Sequence, residues 1–187
     1  EINGIDFNVT SIEGGAFDGC DALTKTNYLG DIAGWCAIKF GDISANPMSN
    51  SHNLYINDQE IRDLVIPNTV DSIHNYAFKD CFSLTSVSIG NSVTSIGDYA
   101  FDGCSSLTSV TIGNSLTSIG KNAFFNCSSL TSINIPESVT NIWYGAFDNT
   151  GIYNDESNWE NNELYIDNCL IALKCYIEGE YTIKDGV

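Results

Sequence analysis

The chain has 187 residues, 43% of them hydrophobic, and carries 24 Asp plus Glu against seven Lys plus Arg, a net charge of −17. That length and content suit one domain with a substantial interior and exclude wholesale disorder. The acidity argues against nucleic acid and against docking on an anionic membrane surface, since both are bound through cations. No run approaches the roughly 18 apolar residues of a membrane span, and no basic segment followed by an apolar stretch opens the chain as a leader would. Glu1 falls just before a repeat and Val187 matches Val70, well before the Ala-Phe of its own repeat, so the sequence reads as a single domain, 1–187, cut from a longer protein.

Residues 1–24 hold the first copy of a frame, V-x-x-I-x-x-x-A-F-x-x-C, at Val9, Ile12, Ala16, Phe17 and Cys20. Residues 25–65 then interrupt the period as an irregular island. Asp31 is a plausible N-cap for a short helix with Ile32, Trp35, Cys36 and Phe40 at helical spacing. Asn53 to Ile61 reads as a β-hairpin turning at Asn57-Asp58, and leads into Leu64-Val-Ile66.

Residues 66–150 are four regular repeats. The frame recurs at Val70, Ile73, Ala77, Phe78 and Cys81, and again at Val93 to Cys104 and Leu116 to Cys127, each copy 23 residues after the last. The fourth copy keeps step through Val139, Ile142, Ala146 and Phe147 but has Thr150 in the cysteine position, and Trp143-Tyr144 follows its Ile where other copies mostly have Gly. A fixed period in the twenties indicates a solenoid whose coils stack on one another. Within one coil, Leu107-Thr-Ser-Val-Thr-Ile112 has the alternation of a half-buried strand. Gly113-Asn114 turns the chain, Leu116 and Ile119 point inward, and a tight turn carries Ala123, Phe124 and Cys127. Like positions then form columns: Phe78, Phe101, Phe124 and Phe147 in one, Ile73, Ile96, Ile119 and Ile142 in another. The acid sits elsewhere, because residues 66–134 carry four acids and two bases, a net of −2.

Residues 151–187 form a second island and the start of another repeat. Glu163 to Ile171 resembles the first hairpin, with Asp167-Asn168 at its turn, and Tyr181-Thr-Ile183 takes the place of Leu64-Val-Ile66. The islands read either as larger versions of the same coil or as edge loops that carry specificity. The run Asn154 to Glu163 is rich in oxygen ligands, but it lacks the spacing and central Gly of a calcium loop, and a solvated loop is the simpler reading.

The cysteines number seven, so at least one is unpaired. Cys20, Cys81, Cys104 and Cys127 share a register with hydrophobic residues and are expected to be buried thiols. No C-x-x-C pair suggests zinc. The two histidines are His52, before the first hairpin, and His74, on a turn at the register of Gly97 and Gly120. No G-x-S-x-G, H-E-x-x-H or phosphate-cradling loop is present. No catalytic residue, metal or cofactor is expected. The candidate binding surface is the strand face, where Ser86, Ser88, Ser109, Thr111, Ser132 and Asn134 point outward as a flat, polar, uncharged patch. Small hydroxylated residues also simply suit an exposed strand.

The repeat L-T-S-V-T-I-G-N-S-x-T-S-I-G-x-x-A-F-x-x-C resembles the BspA-like leucine-rich repeat family, as do the D-I-A-G-W-C island and its later H-N-L-Y-I. The resemblance implies a right-handed leucine-rich-repeat superhelix of short parallel strands and tight or short helical turns. It also implies a secreted or surface-attached protein of a host-associated microbe. Some members of the family are adhesins for host matrix proteins, so the expected partner is an extracellular protein or matrix component. The competing reading is a structural stalk with no ligand of its own. Charged substitutions at the strand-face Ser and Thr, or at exposed aromatics such as Tyr55 and Tyr165, are expected to distinguish the two, weakening a binder and leaving a stalk unaffected.

Overall fold

The structure, a computed structural model, describes residues 2–173, with the side chains of Ile2 and Asn3 left aside. It is a β-solenoid of about six turns. Each coil contributes a first strand and a shorter second strand. The first coil carries β1 (Ile2–Ile5) and β2 (Ser11–Ile12). The second carries β3 (Thr26–Tyr28), α1 (Ile32–Cys36), β4 (Lys39–Phe40) and α2 (Met48–Ser51). In the third, β5 (Leu54–Ile56) and β6 (Gln59–Glu60) form the hairpin that precedes β7 (Asp63–Ile66) and β8 (Ser72–Ile73). The regular coils follow with β9 (Ser86–Ile89) and β10 (Ser95–Ile96), then β11 (Ser109–Thr111) and β12 (Ser118–Ile119), then β13 (Asn141–Ile142). The chain continues through α3 (Gly151–Asn154) into an antiparallel meander of β14 (Trp159–Glu160), β15 (Glu163–Ile166) and β16 (Cys169–Leu173).

The 23-residue period sets the register. First strands pair in parallel as β7-β9-β11, with Leu64 beside Val87 and Val87 beside Val110. Second strands pair in parallel as β8-β10-β12-β13, with Ile73, Ile96, Ile119 and Ile142 side by side. The interior is therefore built of columns. The rings of Phe78, Phe101, Phe124 and Phe147 stack in order with centroids 5.3, 5.3 and 5.5 Å apart and planes nearly parallel. All four rings are fully buried, and the Ala-Phe turns are tied by Phe78 N–H to Ala100 C=O, Phe101 to Ala123 and Phe124 to Ala146, at 2.7–2.8 Å.

Side chains add further hydrogen bonds between successive coils. Thr108 and Thr117 donate their hydroxyls to the carbonyls of Thr85 and Thr94, one coil earlier. Asn68 and Asn91 accept from the N–H of the residue 23 positions later. The thiols of Cys104 and Cys127 donate to the Phe78 and Phe101 carbonyls at 3.2 Å. The residue just before each cysteine position has positive φ: Asp80 (57°), Gly103 (76°), Asn126 (58°) and Asn149 (58°). Only residues that tolerate the left-handed region recur there.

Four readings need correction or refinement. Phe40 does not continue α1. The helix ends at Ala37, whose N–H bonds back to Ala33 and Gly34, and Lys39-Phe40 pairs in parallel with Ser11-Ile12 as a second strand. Residues 26–51 are thus a coil of their own, and β3 pairs in parallel with both β1 and β5. Cys20 is exposed and Phe17 only partly buried, because the first coil is covered on one side alone among the described residues. Thr150 replaces cysteine for a local reason: its hydroxyl donates to the Phe147 carbonyl at 2.7 Å and accepts from Tyr153 N–H, capping α3. The acidic run 154–163 is not a plain loop, since it holds a 3-10 turn, β14 and the tight turn at Asn161-Asn162. Tyr181-Thr-Ile183, Cys175 and Val187 lie outside the described residues.

The second coil closes the regular array with side chains. In the array, each Ala carbonyl of the Ala-Phe turn receives a Phe N–H from the preceding coil. For Ala77 that donor is Trp35 Nε1 instead, at 2.8 Å, and Asn46 Nδ2 donates to the neighbouring Tyr76 carbonyl at 2.6 Å. Trp35 and Asn46 are both fully buried.

Candidate functional site

The first-strand face is built by alternation. On β7, Leu64 and Ile66 are buried while Asp63 and Val65 face solvent, and β9 and β11 repeat the pattern. Register then places Asp63, Ser86 and Ser109 in one outward row and Val65, Ser88 and Thr111 in the next. Asp63 Oδ1 accepts from Ser86 Oγ at 2.6 Å and from Thr85 Oγ1 at 3.2 Å. Val65 is 65% exposed. Asp63 and Val65 escaped the sequence reading because Leu64-Val-Ile66 sits outside the regular repeats, although the 23-residue offset from Ser86 and Ser88 would have found them.

Ser132 and Asn134 do not join this face as strand residues. The sheet ends at β11 among the described residues, and residues 131–135 are exposed or partly buried irregular chain up to the buried Ile135. There the backbone turns to the last meander: Ile135 N–H donates to Asp167 Oδ2 at 2.7 Å. A cleft of about 270 Å³ separates Thr108–Val110 from Ser132–Asn134. Tyr55 and Tyr165 are not fully exposed aromatics either. Both are half-buried, and the Lys25 ammonium sits 4.6 Å from the Tyr55 ring centre.

The principal cluster of buried charge was missed by the sequence reading. Lys79 Nζ lies 2.7 Å from Asp102 Oδ2 and 3.0 Å from Asp80 Oδ2, with the Lys79 and Asp102 side chains 8% exposed. The signal was legible: Asp102 occupies the position 23 residues after Lys79. Burial pulls the Lys79 ammonium down, but its bonds and charge contacts with Asp102 and Asp80 outweigh this and hold its pKa above the ordinary value. Burial raises the Asp102 carboxyl above its ordinary value, against the opposing pull of Lys79 and with help from Asp80. The two directions are compatible because one cation faces two carboxylates. The cluster pins adjacent coils together and offers no free base.

His52 ends α2 in the left-handed region (φ 56°) and stacks on Phe82 with centroids 4.3 Å apart. His74 is half-buried on the second-strand side. Burial pushes the thiols of Cys36 and Cys81 up to about 12 and about 11. Among the described residues no three His, Cys, Asp or Glu side chains group as a metal site. No helix among them is long and apolar enough to cross a membrane.

A family model for the BspA type leucine rich repeat region matches residues 49–170 in six copies. Among solved structures, the chain is similar to a leucine rich cell surface protein from Faecalibacterium prausnitzii, 28% identical over 76% of this chain and 43% of that one, with a TM-score of 0.52. A leucine-rich repeat protein from Bacteroides ovatus is 32% identical over 48% of this chain and 26% of its own, with a TM-score of 0.46. One from Eubacterium ventriosum is 25% identical over 84% of this chain and 38% of its own, with a TM-score of 0.48. The chain thus spans less than half the length of each of these proteins. Among curated proteins nothing matches the sequence.

Proposed function

This chain belongs to the BspA-type leucine-rich-repeat family, and from that premise we propose that it is a non-catalytic interaction module, secreted or displayed at the cell surface, that binds an extracellular protein through its first-strand face. The family and the cell-surface protein similar to this chain support that placement. The observation that carries the binding reading is the face itself. Its inward residues Leu64, Val87 and Val110 are buried in the core, whereas Val65, Ser88 and Thr111 form an outward row. Val65 is an apolar residue held in water by its register, with hydroxyls beside it. No Trp, Tyr or Arg stands on β7, β9 or β11, so an extended contact without a dominant anchor is expected, and binding of modest strength.

The test is biolayer interferometry of the chain on immobilised fibronectin, fibrinogen and laminin, with a Ser88→Arg, Thr111→Arg double variant alongside. Both positions are exposed, so the variant keeps the fold. The reading expects binding to at least one matrix protein and a loss of tenfold or more in the variant. Equal binding by variant and parent overturns the first-strand face as the site, and no binding to any of the three overturns the reading and favours a stalk.

A further inference from the structure

The second-strand side carries a groove that the first-strand face does not explain. His74, Gly97, Gly120 and Trp143 occupy one register position on successive coils, directly after β8, β10, β12 and β13. The two glycines are required by packing: a Cβ on Gly97 would lie 2.6 Å from the Asn75 nitrogen, and one on Gly120 would lie 2.6 Å from the Gly97 carbonyl carbon. Their consequence is a floor of bare backbone that ends at Trp143. The groove over it runs from Asn75 to Trp143 and has a volume of about 490 Å³.

Trp143 has no part in the core. It is 61% exposed and its neighbour Tyr144 is 72% exposed, in a protein whose other large hydrophobic residues are mostly buried. The Tyr144 ring is braced from behind by the Lys121 ammonium, 5.2 Å from its centre, which also lies 5.7 Å from the Tyr99 ring. Asp98 uses Oδ1 to accept from the Lys121 backbone N–H at 2.8 Å, and its second oxygen is left for a ligand hydroxyl. Ser95 and Ser118 add hydroxyls along the floor. With Asp98 and Lys121 opposed, the groove is locally neutral in a strongly acidic chain.

From this juxtaposition we propose that the groove between Asn75 and Trp143 binds a neutral, linear oligosaccharide, stacked on Trp143 and hydrogen-bonded along the glycine floor. An indole or phenol ring presents a negative face that attracts the weakly positive C–H groups of a flat pyranose ring. Planar carboxylate and small hydroxyl side chains match the equatorial hydroxyls around its rim. A protein side-chain anchor would need a deep pocket, and this groove is open, with serine hydroxyls and backbone along its floor. Asn75 and Trp143 lie on coils three steps apart, about 14 Å at the ~4.8 Å spacing of strands, room for a short run of β-1,4-linked sugars. The site lies on the sheet opposite in sequence order to the first-strand face, and does not depend on that face binding anything.

The test is a fluorescence titration of the 187-residue chain with cellotriose, chitotriose and mannotriose. Trp35 is buried and Trp159 half-buried, so Trp143 is the exposed reporter. Saturable quenching by a β-1,4-linked trisaccharide is expected, with weaker binding of the corresponding monosaccharide. Trp143→Gly restores the residue found one and two coils earlier, and should keep the melting temperature while weakening binding at least tenfold, read by calorimetry. Ser118→Arg, which fills the floor, should do the same. No saturable response to any of the three sugars overturns the proposal, as does undiminished binding by Trp143→Gly. A lowered melting temperature for Trp143→Gly would assign the indole to packing and overturns it too. So would a peptide or protein whose binding needs Trp143 in the absence of any saccharide response.

Discussion

The stacked phenylalanines make Phe101→Ala the most informative perturbation. The Phe101 ring is fully buried and stacks on a neighbour on each side, 5.3 Å from Phe78 and 5.3 Å from Phe124. Truncation removes an aromatic that buries upwards of about 150 Å², worth about 4 kcal/mol at ~25 cal/mol per Å². Mid-array coils cannot collapse into the space, because the ladder hydrogen bonds of both neighbours hold them at strand spacing. A loss of about 3–5 kcal/mol is therefore expected, toward the upper end because two ring contacts disappear together. Phe17→Ala, where the ring is only partly buried and stands outside the stacked column of Phe78 to Phe147, should cost roughly 1 kcal/mol. Urea unfolding followed by far-ultraviolet circular dichroism measures both. A loss below about 1 kcal/mol at Phe101, or an equal loss at Phe17, would refute the column as the source of stability.

Three further outcomes follow from the same geometry. Lys79→Ala leaves Asp102 and Asp80 facing each other without their cation and should cost about 3–5 kcal/mol by urea melt, whereas Lys79→Met with Asp102→Leu should recover most of that. Because the folded state holds the Cys36 and Cys81 protons to about 12 and about 11 against an unfolded value of 9.0, the stability these two thiols contribute should be full below pH 9 and fall above it. At about 1.4 kcal/mol per pH unit, these thiols withdraw about 7 kcal/mol by pH 12; the raised Lys79 adds in the same direction above 10.5, and a Cys36→Ala, Cys81→Ala variant should show a shallower slope. Thr150→Val removes the α3 cap and its bond to Phe147, and should lower stability by about 1–2 kcal/mol with the change confined, by hydrogen exchange, to residues after 146.

The repeat was legible because parallel stacking gives like positions like surroundings. Once Val93, Ile96, Ala100, Phe101 and Cys104 fall 23 residues from their counterparts, an inward Phe implies a column, and the columns are present. The same logic misplaced Cys20, since a shared register implies burial only when coils lie on both sides. It also misplaced Phe40, whose spacing from Trp35 fits a helix but whose backbone pairs with Ile12 across 28 positions, a distance outside the repeat. Four of the six candidate strand-face residues were legible: Ser86, Ser88, Ser109 and Thr111 stand where alternation puts them. Ser132 and Asn134 follow the same alternation, but the bond from Ile135 to Asp167 draws that segment toward the meander.

Period and pattern alone thus determined the solenoid, its interior columns and the sides its strands turn to water, because a fixed offset dictates which residues lie above one another. Tertiary structure alone decided where the array is capped and where its first sheet stops. Those outcomes depend on contacts between coils of unequal length, and a repeat pattern carries no information about partners that do not repeat.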